Sequence, residues 1–217
     1  MSIQNYNFIT GLAGGDLAPV VVILAAAAAY FIGNINPAII LGKIYGVDVR
    51  KSGSGNAGTT NALRSIGKRA GAITFVVDVL KGFLCFFIPA FFSLPLAMLC
   101  GLFVIVGHMY PVIFRFHGGK GVATAFGVLL AANWVYALIL IGVVFIMVAI
   151  ARRVSLGVIV AVIVAVVLAF TGFLGNNYYP LWIFIIVLLI LWKHRANIAR
   201  LLKGTEPKLS IGKKDVK

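Results

Sequence analysis

Runs of apolar residues, most of them long enough to cross a bilayer, leave this chain few choices of fold. They cover residues 17–42, 72–92, 94–114, 122–150, 155–173 and 181–192, and about 20 predominantly apolar residues suffice for one crossing. Hydrophobic residues make up 62% of the 217-residue chain and charged residues 11%, against roughly a quarter charged in soluble proteins. Hydrocarbon offers no hydrogen bonds to a bare backbone, so segments of this kind must fold as helices. The sequence therefore predicts an all-α, polytopic membrane protein forming a single domain over residues 1–217, with 209–217 a flexible cytoplasmic tail.

Charge sets the number of crossings. The formal net charge is +14, which in a polytopic protein reflects Lys and Arg retained on the cytoplasmic side rather than nucleic-acid binding. The run 122–150 is long for one crossing and short for two. One crossing would put Arg152, Arg153 and the basic tail opposite the first polar loop. Two crossings, with a turn near Asn133, bring every Lys and Arg except Lys81 to one side. Seven transmembrane helices follow, with the N-terminus outside and the C-terminus cytoplasmic. The fourth, about 122–132, reaches only about 18 Å, so its polar start at Gly118–Gly121 should lie recessed toward the protein interior. The first sixteen residues hold no Lys or Arg, so no cleavable signal peptide is expected. Cys85 and Cys100 fall inside apolar runs and read as small buried hydrophobes.

Within the spans, Asn34, Asn36 and Pro37 should kink the first helix and offer amides to the backbone groups freed there. A structural kink and a substrate-pocket role are both compatible with them. Asp78 and Lys81, three apart, share a face and must look inward or toward a water-filled cavity, and a structural and a catalytic pair are both compatible with them.

Three polar segments exceed what a helix bundle needs, and the topology puts all three on the cytoplasmic side. The first, Lys51 to Arg69, is rich in glycine and cations. Its Gly53-Ser54-Gly55-Asn56-Ala57-Gly58 run matches G-x-G-x-x-G but follows a membrane helix rather than a strand, so it is no dinucleotide fingerprint. The second, Gly118-Gly119-Lys120-Gly121 before a helix start, combines close backbone approach, the positive end of a helix dipole and a cation. Gly121 stands where a Walker A loop needs Ser or Thr. In the third, His194, Asn197 and Arg200 recur at three-residue spacing with Glu206 beyond. No His, Cys and acid grouping has metal-ligand spacing and no Gly-x-Ser-x-Gly elbow occurs, so neither a bound metal nor a serine nucleophile is expected.

Residues 53–61 with Arg64, then Gly107-His108, Pro111, Phe116 and 118–124, then His194, Asn197-Ile198, Arg200-Leu201, Gly204, Glu206 and Lys208 resemble, in order and spacing, the bacterial acyl-phosphate:glycerol-3-phosphate acyltransferase family. The departures are small: Thr59 where the family usually has Ala, and Ile113 where an aromatic is frequent. The resemblance implies a seven-helix enzyme of the bacterial inner membrane, its active site facing the cytoplasm. It implies acyl transfer from acyl phosphate to the 1-hydroxyl of glycerol 3-phosphate, giving lysophosphatidic acid and phosphate in phospholipid biosynthesis. Its partners would be those two substrates and membrane lipids, with no cofactor and no obligate protein partner. Catalysis would fall to His194, Lys120, Arg64, Ser54, Asn197 and Glu206. Substrate contacts would come from Ser54, Gly55, Asn56, Asn61, Arg64, His108, Gly118, Gly119, Lys120, Gly121, Thr124, His194 and Asn197. Within the first loop, Lys68 and Arg69 would instead face lipid headgroups.

The other acyltransferase class acting on this acceptor carries His-x4-Asp. The residues five after His108, His117 and His194 are Ile113, Val122 and Ala199, which excludes it. A transporter with a midplane anion site would need polar groups spread through the spans or inverted repeats. Neither is present, and an inactive scaffold would not need three glycine-and-cation motifs on one side.

Overall fold

A computed structural model describes residues 19–172 and 179–209. The signal-peptide expectation, the outer loop at 175–180 up to residue 178, and the tail beyond 209 fall outside the described residues.

Among those residues the chain is helical throughout, with no strand. The elements are α1 (Pro19–Asn34), α2 (Pro37–Ile44), α3 (Thr59–Ser65), α4 (Lys68–Ala90), α5 (Leu94–Met109), a 3-10 turn (Val112–Phe114), α6 (Val122–Ala132), α7 (Trp134–Ala151), α8 (Val154–Phe170) and α9 (Tyr179–Leu202). Five stretches are long and apolar enough to cross a membrane: Pro19–Ile44, Lys68–Ala90, Leu94–Phe114, Trp134–Ala151 and Tyr179–Leu202. Two more apolar helices are shorter, α6 with 11 residues and α8 with 17. At about 1.5 Å per residue α6 rises only about 16 Å.

The break between α1 and α2 is built from the expected side chains. Asn36 caps α2 by accepting from the Ile39 amide at 3.0 Å and donates to the Ala57 carbonyl at 3.1 Å. Asn34 donates to the Tyr30 carbonyl at 2.7 Å and accepts from the Ile113 amide at 3.3 Å. Both asparagines are fully buried and serve the backbone, so the structural reading of the kink is the one seen. Asn133 ends α6 and caps α7 by accepting from the Tyr136 amide at 3.0 Å, which places the turn where charge balance predicted it.

Two departures have simple causes. The polar loop contains a helix, α3, that glycine-rich flanks conceal from pattern reading. And α9 runs ten residues past Trp192, because Lys, Arg, Ala and Leu are all good helix formers. The apolar-to-charged boundary near Trp192 is not the end of the helix.

Glycines let helices meet backbone to backbone. A Cβ at Gly107 would overlap the Tyr30 carbonyl and one at Gly33 the Val104 carbonyl, so α1 and α5 touch there. Gly82 lies likewise against the Thr124 carbonyl and Gly127 against that of Val79, which joins α4 to α6. Such small-residue contacts replace the hydrophobic drive that lipid removes. Gly107→Ala should lower the melting temperature in detergent by several degrees, given typical overpacking costs of about 1–3 kcal/mol. Gly142→Ala, where nothing lies within 4 Å of the added carbon, should leave it unchanged or raise it.

Candidate active site at the start of α6 and the end of α9

Lys120 leads into α6 through Gly121, whose left-handed φ of 79° a β-carbon would strain. Its ammonium donates to Asn197 Oδ1 at 2.5 Å. Asn197 in turn donates through Nδ2 to Glu206 Oε1 at 2.6 Å. The Glu206 carboxylate also accepts from Ser155 Oγ at 2.6 Å and from Arg200 Nε at 2.7 Å, and its carbonyl from Arg153 Nε at 3.2 Å. The result is a line from carboxylate to amide to ammonium, with both ends of the Asn197 amide fixed by charged partners. A Leu209 amide bond to the Arg152 carbonyl at 2.5 Å ties the segment after α9 to the α7–α8 turn.

His194 lies one turn before Asn197 on the same face of α9, and both are buried. Its Nδ1 sits 2.8 Å from the Ile190 carbonyl. A carbonyl only accepts, so Nδ1 carries the proton and Nε2 is left to accept or, when protonated, to donate. Lys120 and Glu206 both lie within electrostatic reach of the ring.

The charges do not cancel. Lys120 feels Arg200, Lys193 and Arg64 as well as Glu206, and Arg64 forms no hydrogen bond or ion pair among the described residues. Burial lowers the Lys120 pKa to about 8 and the neighbouring cations act in the same direction, against the opposing pull of Glu206. For Glu206 burial acts to raise the pKa, but the hydrogen bonds from Ser155, Asn197 and Arg200 outweigh it and the value is lowered. The site thus holds one ionised acid among several cations and has capacity for an anion.

Next to it runs an apolar groove between α6, α7, α8 and α9. Val122, just after the glycine turn, and Ile190, the acceptor of the His194 proton, stand at its head, and Leu129, Leu140, Ala165 and Ile183 lie deeper.

Several expected substrate contacts sit elsewhere. Asn61 is fully buried and all four of its hydrogen-bonding positions are taken: Nδ2 by the Val49 and Ser52 carbonyls at 2.7 and 3.0 Å, Oδ1 by the Ser54 amide at 2.8 Å and Ser65 Oγ at 3.4 Å. It shapes the loop that carries Ser54. His108 is buried against Asp78 and Lys81, and Thr124 is buried on α6 with no hydrogen-bond partner for its hydroxyl among the described residues. A β-carbon at Gly118 would overlap the His108 carbonyl and one at Gly119 the His108 ring. Their lack of a β-carbon is required by packing, not only by an approaching ligand. Glu206 is expected to take part in catalysis, yet its carboxylate is spent on holding Asn197, Ser155 and Arg200. Ser54 and Gly55 are exposed, Asn56 is half-buried, and no hydrogen bond joins them to Lys120, His194 or Asn197.

Ser155 was not singled out from the sequence, and Arg153 and Lys193 entered only through the charge count. A serine in the first turn of an apolar helix, or cations at a membrane surface, carry no local signal. Only the return of the chain after α9 gives Ser155 and Arg153 an acid to meet.

The class these features define is an all-helical, polytopic membrane protein with a cluster of cations beside an apolar groove. The comparisons with known proteins are specific. The family model for glycerol-3-phosphate acyltransferase matches residues 23–204, and the chain belongs to that family. A glycerol-3-phosphate acyltransferase of Geobacillus kaustophilus is 44% identical over 185 residues, covering 83% of this chain and 92% of its own. One from Bacillus cytotoxicus is 41% identical over 193 residues, covering 88% and 96%. The crystal structure of PlsY (YgiH), an integral membrane glycerol 3-phosphate acyltransferase in its glycerol 3-phosphate form, superposes with a TM-score of 0.83 at 38% identity, covering 87% of this chain and 96% of that one. The lysophosphatidic acid form gives 0.80 at 37% identity.

The relay from Glu206 to Lys120 can be tested. Glu206→Gln keeps the shape but loses the strong acceptor, and kcat/KM for acyl transfer to glycerol 3-phosphate should fall at least tenfold with the melting temperature little changed. Wild-type kinetics in that variant would show that Asn197 orients Lys120 unaided.

Proposed function

We propose that this protein transfers a fatty acyl group from acyl phosphate to the 1-hydroxyl of glycerol 3-phosphate, releasing lysophosphatidic acid and inorganic phosphate in phospholipid biosynthesis. The observation that carries the reading is a partly buried lysine, bonded to a neutral amide instead of a carboxylate, at the head of an apolar groove. An anionic headgroup with a hydrocarbon tail fits that combination. The tail lies along α6 to α9 and the phosphate meets Lys120, and the groove's length of about seven helical residues, roughly 10 Å, seats the first part of a long chain.

Seven crossings with the N-terminus outside, the C-terminus cytoplasmic and the site facing the cytoplasm of a bacterial inner membrane suit this chemistry, since both substrates are anionic and one is water-soluble. The basic residues on one side support that topology. We assign phosphate contacts to Arg64, Lys120, His194 and Asn197, and to Ser54 from the exposed first loop, which has no hydrogen bond to Lys120, His194 or Asn197 among the described residues.

Acyl phosphate is already activated, so the protein mainly orients and stabilises charge. The acceptor oxygen attacks the acyl carbon, the bond from that carbon to the phosphate oxygen breaks, and phosphate leaves with the electron pair. Lys120 and Arg64 face the charge that grows on the departing phosphate. The hydroxyl proton goes to His194 Nε2 or to a phosphate oxygen that His194 orients.

Purified protein should release phosphate from palmitoyl phosphate only when glycerol 3-phosphate is present, and Lys120→Ala should lower kcat/KM by orders of magnitude. Release without acceptor dependence, or a folded Lys120→Ala enzyme of near-normal activity, would overturn the reading. His194→Gln separates the two proton routes: it retains a donor but no base. Retention of most activity would leave only the orienting role.

Lys120 must be protonated to hold phosphate, and its folded pKa of about 8 lies below the ordinary 10.5. In the free enzyme kcat/KM should therefore fall as pH rises through about 8, while kcat, measured with phosphate bound and the lysine's pKa raised, should hold to higher pH. Stability moves the other way. Between about 8 and 10.5 the unfolded chain binds more protons at this position, so the cost of burying the charge is relieved as pH rises. A pH–rate series on each parameter checks the offset.

A further inference from the structure

Asp78, Lys81 and His108 meet in the apolar interior where α4, α5 and the end of α1 come together. Lys81 Nζ lies 2.7 Å from Asp78 Oδ1 and 3.0 Å from His108 Nδ1, and it donates to the Gly33 and Ile35 carbonyls at 3.1 and 2.6 Å. His108 Nδ1 is also 3.2 Å from Asp78 Oδ1. All three side chains are buried. Ionisable groups at such a depth are costly to keep, and a role as helix glue needs only the lysine on the α1 carbonyls.

The imidazole reaches further. The Gly119 amide donates to the His108 carbonyl at 3.1 Å. That carbonyl occupies the place a Gly118 side chain would take, and His108 Nε2 occupies the place of a Gly119 side chain, with the Ala57 carbonyl of the first polar loop beside it. Lys120 is the next residue. Its backbone therefore leaves a surface formed by His108, and its side chain sets out toward Asn197 from there.

We propose that the Asp78–Lys81–His108 cluster is a positioning device: it fixes the backbone and ring of His108, and these set the path of the Gly118–Gly121 turn and so the aim of Lys120 at the anion. This rests on Lys120 holding phosphate, as read above. The cluster touches no reacting atom, and its effect is transmitted only through the turn.

The decisive variant is His108→Asn, whose amide can reach the Lys81 and Asp78 partners of Nδ1 but leaves a gap beside Gly119. The variant and wild type are compared for inorganic phosphate binding, by its stabilisation of the detergent-solubilised protein, and for kcat/KM. Phosphate affinity and kcat/KM should each fall at least tenfold while the melting temperature without phosphate stays within a few degrees of wild type. Asp78→Asn should give the same loss, and the double variant should be no worse than the worse single one. Wild-type phosphate affinity in a folded His108→Asn protein, or strictly additive losses, would overturn the proposal. So would failure of both single variants to fold, which would make the cluster a scaffold. Phosphate binding needs no turnover, so a wild-type protein that binds phosphate but transfers no acyl group sinks the acyltransfer reading and leaves this one standing.

Discussion

Helix ends inside an apolar medium expose carbonyl groups that nothing nearby can satisfy, and this structure is organised around finding donors for them. At the end of α5 three successive carbonyls find three different elements: His108 takes the Gly119 amide, Met109 takes Lys193 Nζ at 2.9 Å, and Tyr110 takes the Tyr30 hydroxyl at 2.8 Å. The end of α1 is served by Lys81 from α4. Each bond replaces water with a group carried by a distant part of the chain. Together they fix α1, α4, α9 and the glycine turn around one point.

The site grows out of that knot. Lys120 projects from a turn anchored on α5, while Asn197 and His194 come from α9, which Lys193 pins to the same helix end over the Tyr110 ring at 4.3 Å. The C-terminal segment then closes back with Glu206, giving Asn197 an orientation it could not hold alone. The network ends in an ammonium whose charge no carboxylate touches directly. That charge is available to an anion because the acid sits one amide away, near enough to orient and too engaged with Ser155 and Arg200 to neutralise. The apolar groove beginning at Val122 makes the pocket amphipathic, which matches the chemistry of a family whose members join a phosphate-bearing acceptor to a fatty chain.

Local patterning explains how much could be read in advance. Apolar runs and the placement of Lys and Arg were enough for the apolar helices, the short α6 and the turn at Asn133, though not for α3 or the far end of α9, since both signals are properties of consecutive residues. The three polar motifs were visible because glycine, cations and amides are out of place beside a bilayer. Partner choice was not visible. Asn61 and Glu206 carry the same polar signature as Lys120 and His194, yet Asn61 is spent on the loop backbone and Glu206 on Asn197, because hydrogen-bond saturation is decided by what the fold brings near.

The sequence by itself determined the solvent: with 62% hydrophobic residues the chain must be helical in lipid, and its glycine-and-cation motifs stand out between the apolar runs. Tertiary structure decided which polar groups remain free to act. His108, Thr124 and Asn61 went into the interior, Ser155 came forward to meet Glu206, and the Asp78 and Lys81 pair acquired a third member from another helix. The reason is geometric. Periodicity places a side chain on a face of its own helix, but only the packing of carbonyl-rich helix ends against glycine determines which faces meet and at what distance.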